Sequence, residues 1–394
     1  MSVSKISSAI LGVGVDDTTL DLFESQYPVP AGVSYNSYVI LDEKVAVLDT
    51  VDARATDAWL ENLSQALAGR MPDYLVVSHM EPDHGANIAR LAAAYPAMQV
   101  VGNAKTFVMM DQFFGAQAVA ADRRVVVKEG DTLSLGSHTL QFVLAPMVHW
   151  PEVMLSYETS EKVLFSADAF GRFGAVANYD ANAEWASEAR RYFLNIVGKY
   201  GVQVQAVLKK AAVLEISTIC PLHGPVLTGD LTPYLHYYDL WSSYRAEEPE
   251  KILVASASIH GNTRAAAHTL AEKLRAQGAK VVEMDLTRTD VSYAVTEAFR
   301  CGKTVLACAT YDGALFPPME ALLAHLKSKN FQGRTIALME NGSWAPMAAK
   351  QMRAELEGMK NIAICEQVVT LRSAANAAAE AQMDALVQEL LAKA

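Results

Sequence analysis

The pattern that most restricts the possible folds lies in the C-terminal part of the chain, residues 249–394. Strand-like and helix-like segments alternate strictly there, and the five strand-like segments are KILVAS, KVVEMDL, TVLACAT, RTIALME and IAICE. A parallel sheet produces this alternation, because the chain must cross back over the sheet, usually as a helix, before the next parallel strand begins. We therefore predict a doubly wound five-stranded parallel sheet. Its helices are expected to begin near Thr263, Val291, Pro317 and Trp344, followed by a closing alanine-rich helix.

The first part of the chain, residues 1–248, has many short apolar runs separated by turns, with few helices between them. SYVILDEKVAVLDT predicts a hairpin around an Asp-Glu-Lys turn. Further strands are predicted at YLVVS, MQVVG, RVVVKEG, HTLQFVLAP, KVLFSAD and STICPLHG. A chain of 394 residues is too long for one average core, so we predict two domains. The boundary is placed near Glu248, where a charged stretch with Pro249 precedes the first alternating strand.

The composition excludes several classes of partner. Asp and Glu outnumber Lys and Arg by 44 to 33, which gives a net charge of -11. Nucleic acids and anionic membranes both need a basic face, so neither is predicted as a partner. No secretory signal or membrane span is predicted, and the cysteines are too scattered for a disulfide framework, so we expect a cytoplasmic location. The four cysteines are Cys220, Cys301, Cys308 and Cys365.

Seven side chains of the metal-ligand type follow apolar runs in the first part of the chain. SHMEPDHGAN supplies four, and the loops APMVHWPEVM, LFSADAFG and ICPLHGPV supply one each; the set is His79, Glu81, Asp83, His84, His149, Asp168 and His223. Any one of them alone is most simply a turn or capping residue, but the spacing H-x-E-x-D-H after a strand is typical of a metal site. Seven ligands are too many for one ion and suit two. In an extended loop, alternate spacing can direct His79, Glu81 and Asp83 to one side, while His84 serves a second ion.

The stretch from SHMEPDHGAN to CPLHGP resembles the metallo-β-lactamase-like fold. The resemblance implies two packed sheets flanked by helices, an αββα sandwich, with a dinuclear site at one edge. Hydrolases of that fold usually carry H-x-H-x-D-H, whereas here Glu81 replaces the second histidine. Four imidazoles and three carboxylates suit non-haem iron better than hydrolytic zinc, although ligand softness alone leaves the choice of metal open.

Three loops in the C-terminal part predict a flavin site. In SASIHGNTR, hydroxyls and backbone N–H groups at a helix N-terminus can bind a phosphate, although the same residues are also ordinary helix caps. CATYDGALFPP and ENGSWAPM each offer an aromatic residue at the carboxyl end of a strand, where a planar ring can stack. The predicted cofactor-binding residues are Ser258, Ile259, His260, Asn262, Thr263, Ala309, Thr310, Tyr311, Asp312, Asn341, Gly342, Ser343 and Trp344.

These loops resemble those of flavodoxin, with two departures. Ser256 stands where that pattern usually has an aromatic residue, and Ala309 stands where a proline is common. A β-lactamase-like domain with H-x-E-x-D-H, followed by a flavodoxin-like domain, resembles the flavodiiron proteins along nearly the whole chain. The resemblance implies FMN and a non-haem diiron centre. It assigns one iron to His79, Glu81 and His149, the other iron to Asp83, His84 and His223, and the bridging position to Asp168.

The resemblance also implies a function. Flavodiiron proteins reduce dioxygen to water or nitric oxide to nitrous oxide, and FMN relays the electrons to the irons. The sequence shows no rubredoxin-type Cys-x-x-Cys module and no flavin reductase domain, so we expect a separate donor protein such as rubredoxin. A head-to-tail homodimer or a dimer of dimers is implied, because the short charged linker YRAEEPEKI leaves little freedom for one chain to bring its own cofactors together.

Some questions stay open at this point. EARRYFLNI resembles a family segment near the diiron pocket in which two tyrosines are common, whereas here Tyr192 is followed by Phe193. Plain packing of an amphipathic helix would explain either aromatic residue equally well. Two other functions are possible: a dizinc hydrolase with a flavin-free docking domain, and a flavin-binding electron carrier with a vestigial metal domain.

Overall fold

The computed structural model describes residues 3–179 and 184–393. The chain divides into two compact units. The first comprises Met1–Phe193 and Tyr200–Asp239, and the second comprises Leu194–Lys199 and Leu240–Ala394. The domain boundary expected near Glu248 stays a prediction, although the first strand of the second unit's sheet begins at that residue.

The larger sheet of the first unit has seven strands. Their spatial order is Ser4–Lys5, Ile10–Gly12, Tyr38–Leu41, Val45–Leu48, Tyr74–Val76, Gln99–Gly102 and Arg124–Val126. The hairpin predicted from the sequence is its antiparallel pair Tyr38–Leu41 and Val45–Leu48, and the next three strands run parallel to Val45–Leu48. Every residue of Val45–Leu48 is buried, as expected for a central strand covered on both faces.

The second sheet of this unit has six strands. Their spatial order is Thr132–Ser134, Thr139–Leu144, Met154–Glu158, Val163–Phe165, Thr218–Cys220 and Leu227–Thr228. Neighbouring strands are antiparallel except for Val163–Phe165 and Thr218–Cys220. Residues of both sheets form one apolar core, for example Ile40 and Val76 with Phe142 and Phe165. The helices of the unit are Thr56–Leu67, Pro82–Gly85, Ile88–Ala94, Ala104–Phe114, Trp185–Tyr192, Gly201–Ala211 and Thr232–Ser242, and the last of these extends past the unit's end at Asp239.

Short elements complete the first unit. Two small antiparallel ribbons pair Val15–Asp17 with Val33–Tyr35, and Leu22–Phe23 with Tyr27–Pro28. Three 3-10 turns of this unit are Ala53–Ala55, Ala121–Arg123 and Val176–Asn178. A π-helical turn, Phe193–Val197, and a 3-10 turn, Gly198–Tyr200, lie mostly in the segment Leu194–Lys199, which belongs to the second unit. The packed sheets and their flanking helices confirm the predicted αββα sandwich.

The second unit contains a five-stranded sheet in which all neighbours are parallel. The spatial order is Val281–Asp285, Glu248–Ala257, Cys301–Tyr311, Arg334–Asn341 and Ile362–Leu371, and a two-residue strand, Ala314–Leu315, folds back on the third of them. Numbered along the chain, this order is 2-1-3-4-5, the flavodoxin-like arrangement. The predicted doubly wound sheet is confirmed.

The helices of the second unit are Asn262–Ala276, Val291–Arg300, Pro317–Ser328, Ala348–Glu357 and Ala377–Ala392. One of them differs from the prediction. The fourth helix begins at Ala348 and not near Trp344. Pro346 explains the delay, because a proline disfavours helical backbone in the residue before it. Trp344 therefore lies in a loop, where it is 88% exposed. Among the residues that the structure describes, no helix has the length and apolar composition needed to cross a membrane.

Candidate metal and flavin sites

The H-x-E-x-D-H stretch changes direction at its centre. It follows the buried strand Tyr74–Val76, and the short helix Pro82–Gly85 begins directly after Glu81. Pro82 fits the first helical position, where its missing N–H would have no helical partner. The helical turn redirects Asp83 and His84. Asp83 consequently lies with His84 and away from the set containing His79 and Glu81, contrary to the expectation from alternate spacing.

The seven predicted metal ligands lie in two adjoining clusters. The first cluster contains His79, Glu81, His149 and Asp168. Glu81 Oε2 is 3.2 Å from His79 Nε2 and 3.0 Å from His149 Nε2. Asp168 Oδ2 is 3.4 Å from His79 Nε2 and 3.2 Å from His149 Nε2. Four donor atoms from three separate loops therefore converge on one point.

The second cluster contains Asp83, His84 and His223. His223 Nε2 is 3.0 Å from His84 Nε2 and 3.2 Å from Asp83 Oδ2. The other oxygen of Asp168, Oδ1, is 3.4 Å from His84 Nε2 and 3.8 Å from His223 Nε2. One oxygen of Asp168 thus faces each cluster.

These separations fit metal coordination. Two donor atoms that each lie about 2.1 Å from one ion are roughly 3.0 to 3.4 Å apart at the angles of octahedral or tetrahedral sites. Both oxygens of Asp83 and of Asp168 are buried and accept no hydrogen bond from any residue that the structure describes. A buried carboxylate that accepts no hydrogen bond is costly unless a cation balances its charge. The donor set, with imidazole nitrogens and carboxylate oxygens on both sides, therefore fits two cations bridged by Asp168.

Hydrogen bonds behind the clusters orient two of the imidazoles. Nδ1 of His79 lies 2.8 Å from Oε1 of the fully buried Glu152, which also accepts a hydrogen bond from the backbone N–H of Met80. Nδ1 of His223 lies 2.8 Å from the backbone oxygen of Ser34. A carbonyl can only accept, so this nitrogen carries the proton and leaves Nε2 of His223 free to bind a metal.

Sequence reasoning missed both of these partners. Glu152 stands three residues after His149 in HWPEVM, so a second search for carboxylates beside predicted ligands would have found it. Ser34 contributes only its backbone oxygen, and no sequence signal marks that contact.

The electrostatics of the clusters favour added positive charge. Burial alone would raise the pKa of the Asp168 carboxyl, but the imidazoles of His79 and His149 hold it well below its usual range. Burial alone would lower the pKa of His149, but the carboxylates of Asp168 and Glu81 raise it to about 9. Protons and metal ions therefore compete for the same donors, and metal binding must release protons.

The neighbouring aromatic residues Tyr192 and Phe193 pack against different groups. The ring of Tyr192 lies 5.5 Å from that of His223 and 5.1 Å from that of Phe173. Its buried hydroxyl has no hydrogen-bond partner among the described residues, and burial followed by the charge of Asp168 raises its pKa well above the usual value. Phe193 packs instead against Tyr238, at 5.0 Å. Tyr192 is therefore the member of the pair that faces the metal clusters.

The second unit contains a cleft of about 570 Å³, within the usual range of small-ligand sites. All the predicted cofactor-binding residues line it: Ser258, Ile259, His260, Asn262, Thr263, Ala309, Thr310, Tyr311, Asp312, Asn341, Gly342, Ser343 and Trp344. Gly261, with φ of +97°, directly precedes the helix Asn262–Ala276. The N–H of Gly261 donates a hydrogen bond to Ser258 Oγ. The first turn of this helix opens into the cleft, so its backbone N–H groups suit a phosphate.

A fourth loop, which the sequence analysis missed, completes the cleft. Ser373 follows the strand Ile362–Leu371, and its backbone N–H and oxygen both bond the side chain of Asn341, at 3.1 and 2.9 Å. The amide of Asn341 also donates to Thr263 Oγ1. Asn341 therefore joins three of the loops. Gly313 and Ala345 also line the cleft unpredicted, although both are sequence neighbours of predicted residues.

Tight packing shapes the loop that carries Trp344. A Cβ atom on Gly342 would lie 2.6 Å from the backbone Cα of Pro346, which is too close for any other residue. Oγ1 of Thr310 accepts a hydrogen bond from the N–H of Met347 and so ties this loop to the neighbouring one. Trp344 and Tyr311 are 88% and 45% exposed, which leaves their faces accessible for stacking on a planar ring.

The chain is similar to known proteins along nearly its whole length. The family described as "ODP family beta lactamase" matches residues 33–224. The anaerobic nitric oxide reductase flavorubredoxin of Pectobacterium atrosepticum is 28% identical over 345 residues, which are 85% of this chain and 67% of that protein. The solved structure of rubredoxin oxygen:oxidoreductase from Desulfovibrio gigas is 26% identical, with a TM-score of 0.91 over 99% of this chain and 98% of that one. The flavodiiron protein of Giardia intestinalis, at 24% identity, shares the fold with a TM-score of 0.90 over 99% of this chain and 95% of that one.

A β-lactamase-like unit with paired ligand clusters, followed by a flavodoxin-like unit with a flavin cleft, defines a two-domain redox protein. The chain belongs to the flavodiiron proteins. It is an oxidoreductase, and its cofactors are FMN and a non-haem diiron centre. The prediction of the family, the fold and the cofactors is thereby confirmed.

Proposed function

We propose that His79, Glu81 and His149 bind one iron, that Asp83, His84 and His223 bind the other, and that Asp168 bridges them. The observation that carries this proposal is the position of Asp168, whose Oδ2 faces the first cluster while Oδ1 faces the second. The cleft of the second unit then holds FMN. With this arrangement the chain reduces O2 to water, NO to nitrous oxide, or both.

The reaction needs electrons and protons in equal number: four of each for one O2, and two of each for two NO. Bound iron would supply Lewis-acid stabilisation and one-electron steps, and the flavin would supply electrons singly or in pairs. The protein's own contribution is to hold the donor atoms in place. Glu152 and the Ser34 carbonyl keep His79 and His223 in fixed orientations. Such fixed geometry reduces the reorganisation needed during reaction.

The names of the similar proteins support both substrates, because the Desulfovibrio protein is called an oxygen oxidoreductase and the Pectobacterium protein a nitric oxide reductase. The test is anaerobic stopped-flow of the fully reduced, iron-loaded protein against each gas. Flavin reoxidation with consumption of one O2 per four electrons, or two NO per two electrons, is expected. The control is the same protein loaded with zinc, which should keep its flavin and lose rapid reoxidation. Equal rates with iron and zinc would contradict the proposal.

We propose further that a separate protein such as rubredoxin supplies the electrons and that the active form is a head-to-tail homodimer in which each FMN serves the partner's irons. The name of the Desulfovibrio relative supports the donor. The short charged linker of the sequence and the frequency of twofold assemblies support the dimer. The predicted cytoplasmic location stays a prediction.

Complementation tests transfer between chains. One parent carries Glu81→Ala with Asp168→Ala, and the other carries Thr263→Val with Trp344→Ala. Each homodimer should be nearly inactive, whereas a heterodimer formed by subunit exchange would join one intact flavin site to one intact metal site and recover up to about half of the wild-type activity. Absence of recovery after demonstrated exchange would contradict the proposal.

A further inference from the structure

A short hairpin in the first unit lies against the second metal cluster. It is formed by Leu22–Phe23 and Tyr27–Pro28, and the backbone N–H of Gln26 donates to the oxygen of Phe23. Phe23 is buried, and its ring meets the edge of the His223 ring at 5.3 Å. The hairpin is therefore anchored on a proposed iron ligand, and its tip follows immediately after the anchor.

The tip has an unusual backbone. The loop between the paired residues Phe23 and Tyr27 has three residues, and the first two, Glu24 and Ser25, have φ values of +48° and +57°, in the left-handed region that favours glycine. Tight turns with a positive φ at both central residues normally use Asn or Gly at these positions. Backbone of this kind, held by side chains that are poorly suited to it, is concentrated at functional sites. The tip is thus the place in this hairpin where a functional side chain is expected.

Glu24 is that side chain. It is exposed at the surface, and Gln26 Nε2 donates a hydrogen bond to its Oε2 at 3.0 Å. The charged groups that interact with its carboxyl come from both clusters: Glu81 and His149 from the first and Asp83 from the second. Glu81 and Asp83 are the most exposed of the ligands in these clusters, with 14% and 11% of their side chains accessible. Because Glu24 is exposed and directly follows Phe23, whose ring packs on His223, it lies on the solvent side of an otherwise buried site.

Protons must cross this boundary in every turnover, because both proposed reactions consume them. Resting on the proposed function, we propose that Glu24 delivers protons from solvent to the reaction at the metal clusters. In each transfer its carboxyl O–H bond breaks, an O–H bond of the product water forms, and solvent water reprotonates the carboxylate; the electrons come from the donor through the flavin. Although the Glu24 side chain is exposed, partial desolvation of its carboxyl and then the negative charge of Glu81 raise the pKa of Glu24, which favours a proton-carrying form.

The test compares Glu24→Gln and Glu24→Asp with Asp21→Asn, a matched control that removes an exposed carboxyl from the residue just before the same hairpin. Glu24→Gln keeps the acceptor for Gln26 but carries no transferable proton. We expect its kcat to fall about a hundredfold, toward the lower end of what acid–base groups contribute, with unchanged iron and FMN content. Glu24→Asp and added acetic acid should both restore much of the rate, and Asp21→Asn should behave as wild type.

A second measurement does not depend on turnover. The infrared pH titration of the oxidised, iron-loaded wild type minus that of Glu24→Gln should isolate one carboxyl that ionises above the ordinary glutamate value of about 4.3. Ionisation at the ordinary value would overturn the proposal. Wild-type kcat and pH profile in Glu24→Gln would also overturn it, and so would loss of iron, which would assign the carboxyl to metal binding. If the loaded wild type consumed neither gas, the proposed function itself would fail, a result distinct from failure of Glu24 alone.

Discussion

The metal clusters and the flavin cleft are both assembled from loops at strand ends. They differ in whether their polar groups are already paired within the protein. In the clusters, buried carboxylates and imidazoles face one another, and the oxygens of Asp83 and Asp168 accept no hydrogen bond from the described residues. In the cleft, polar groups bond one another, as Asn341 does with Thr263 and Ser373. The first site therefore requires cations for its charges to balance, whereas the second is held in shape by its own hydrogen bonds.

Mutations in the two sites should differ in the size of their effects. Changes in the clusters alter charge balance in a buried site, where electrostatic effects are large. Changes in the cleft remove one contact among several around a solvent-accessible ligand. Effects on the clusters should therefore be the larger, and the two kinds of site should respond independently.

The largest effect is expected for Asp168→Ala. Because Asp168 is shared by both clusters, its loss should release both irons and reduce gas consumption by at least about a thousandfold, while FMN stays bound. Metal analysis, flavin absorbance and gas consumption measure the three outcomes. The control is Glu158→Gln, which removes another fully buried carboxylate from the same unit, where it accepts backbone N–H groups in place of metal-facing contacts. An Asp168→Ala protein with two irons would refute the bridging role.

Glu81→His should have the next largest effect. The change restores the H-x-H-x-D-H pattern of hydrolases and replaces a hard oxygen donor by an imidazole, so metal preference should move from iron toward zinc. We expect gas reduction to be lost with the flavin retained. Competition between the two metals during loading, measured by elemental analysis, decides the matter. Full iron occupancy with wild-type turnover would show that Glu81 is not a ligand.

Glu152→Gln addresses the contacts behind the first cluster. The change weakens the hydrogen bond to His79 Nδ1 and removes a buried negative charge, and loss of such partners usually lowers metal affinity about tenfold to a hundredfold. Only the iron bound by the first cluster should be affected. Chelator competition followed by iron spectroscopy would distinguish the two irons. Equal weakening of both irons would indicate a general loss of stability in place of a local effect on His79.

Thr263→Val tests the flavin cleft and should leave the metal clusters unaffected. Its hydroxyl accepts from Asn341 and can donate to a phosphate, and a charge-assisted hydrogen bond contributes roughly 1.5 to 3 kcal/mol. FMN affinity should fall about tenfold to a hundredfold, with the iron content unchanged. Thr269→Val is the matched control, because Thr269 is half-buried on the same helix and its hydroxyl donates to the backbone oxygen of Ala265 within that helix. Unchanged FMN affinity in Thr263→Val would make this residue a helix cap alone.

Much of the fold was predictable because it depends on local patterns. The alternation of strands and helices after residue 249 identified the parallel sheet, and the Asp-Glu-Lys turn identified the hairpin Tyr38–Leu41 and Val45–Leu48. The fourth helix begins at Ala348, four residues after the predicted start at Trp344, because Pro346 disfavours helical backbone in the residue before it. Local patterns thus gave the elements and their order, with less accurate ends.

For the two sites, the residue types were predictable from the sequence, whereas their grouping and supporting contacts were not. Residue types and their spacing, such as H-x-E-x-D-H after a strand, were sufficient to name seven candidate ligands and the loops of a flavin site. This was possible because the residue type determines which groups a side chain can bind. Which ligands share a cluster depended on the helical turn at Pro82, and the supporting partners Glu152, Ser34 and Ser373 appeared only in the folded chain. Distances between residues far apart in sequence result from packing of the whole unit. Neither a backbone carbonyl contact nor a strained hairpin tip can be recognised from residue types alone.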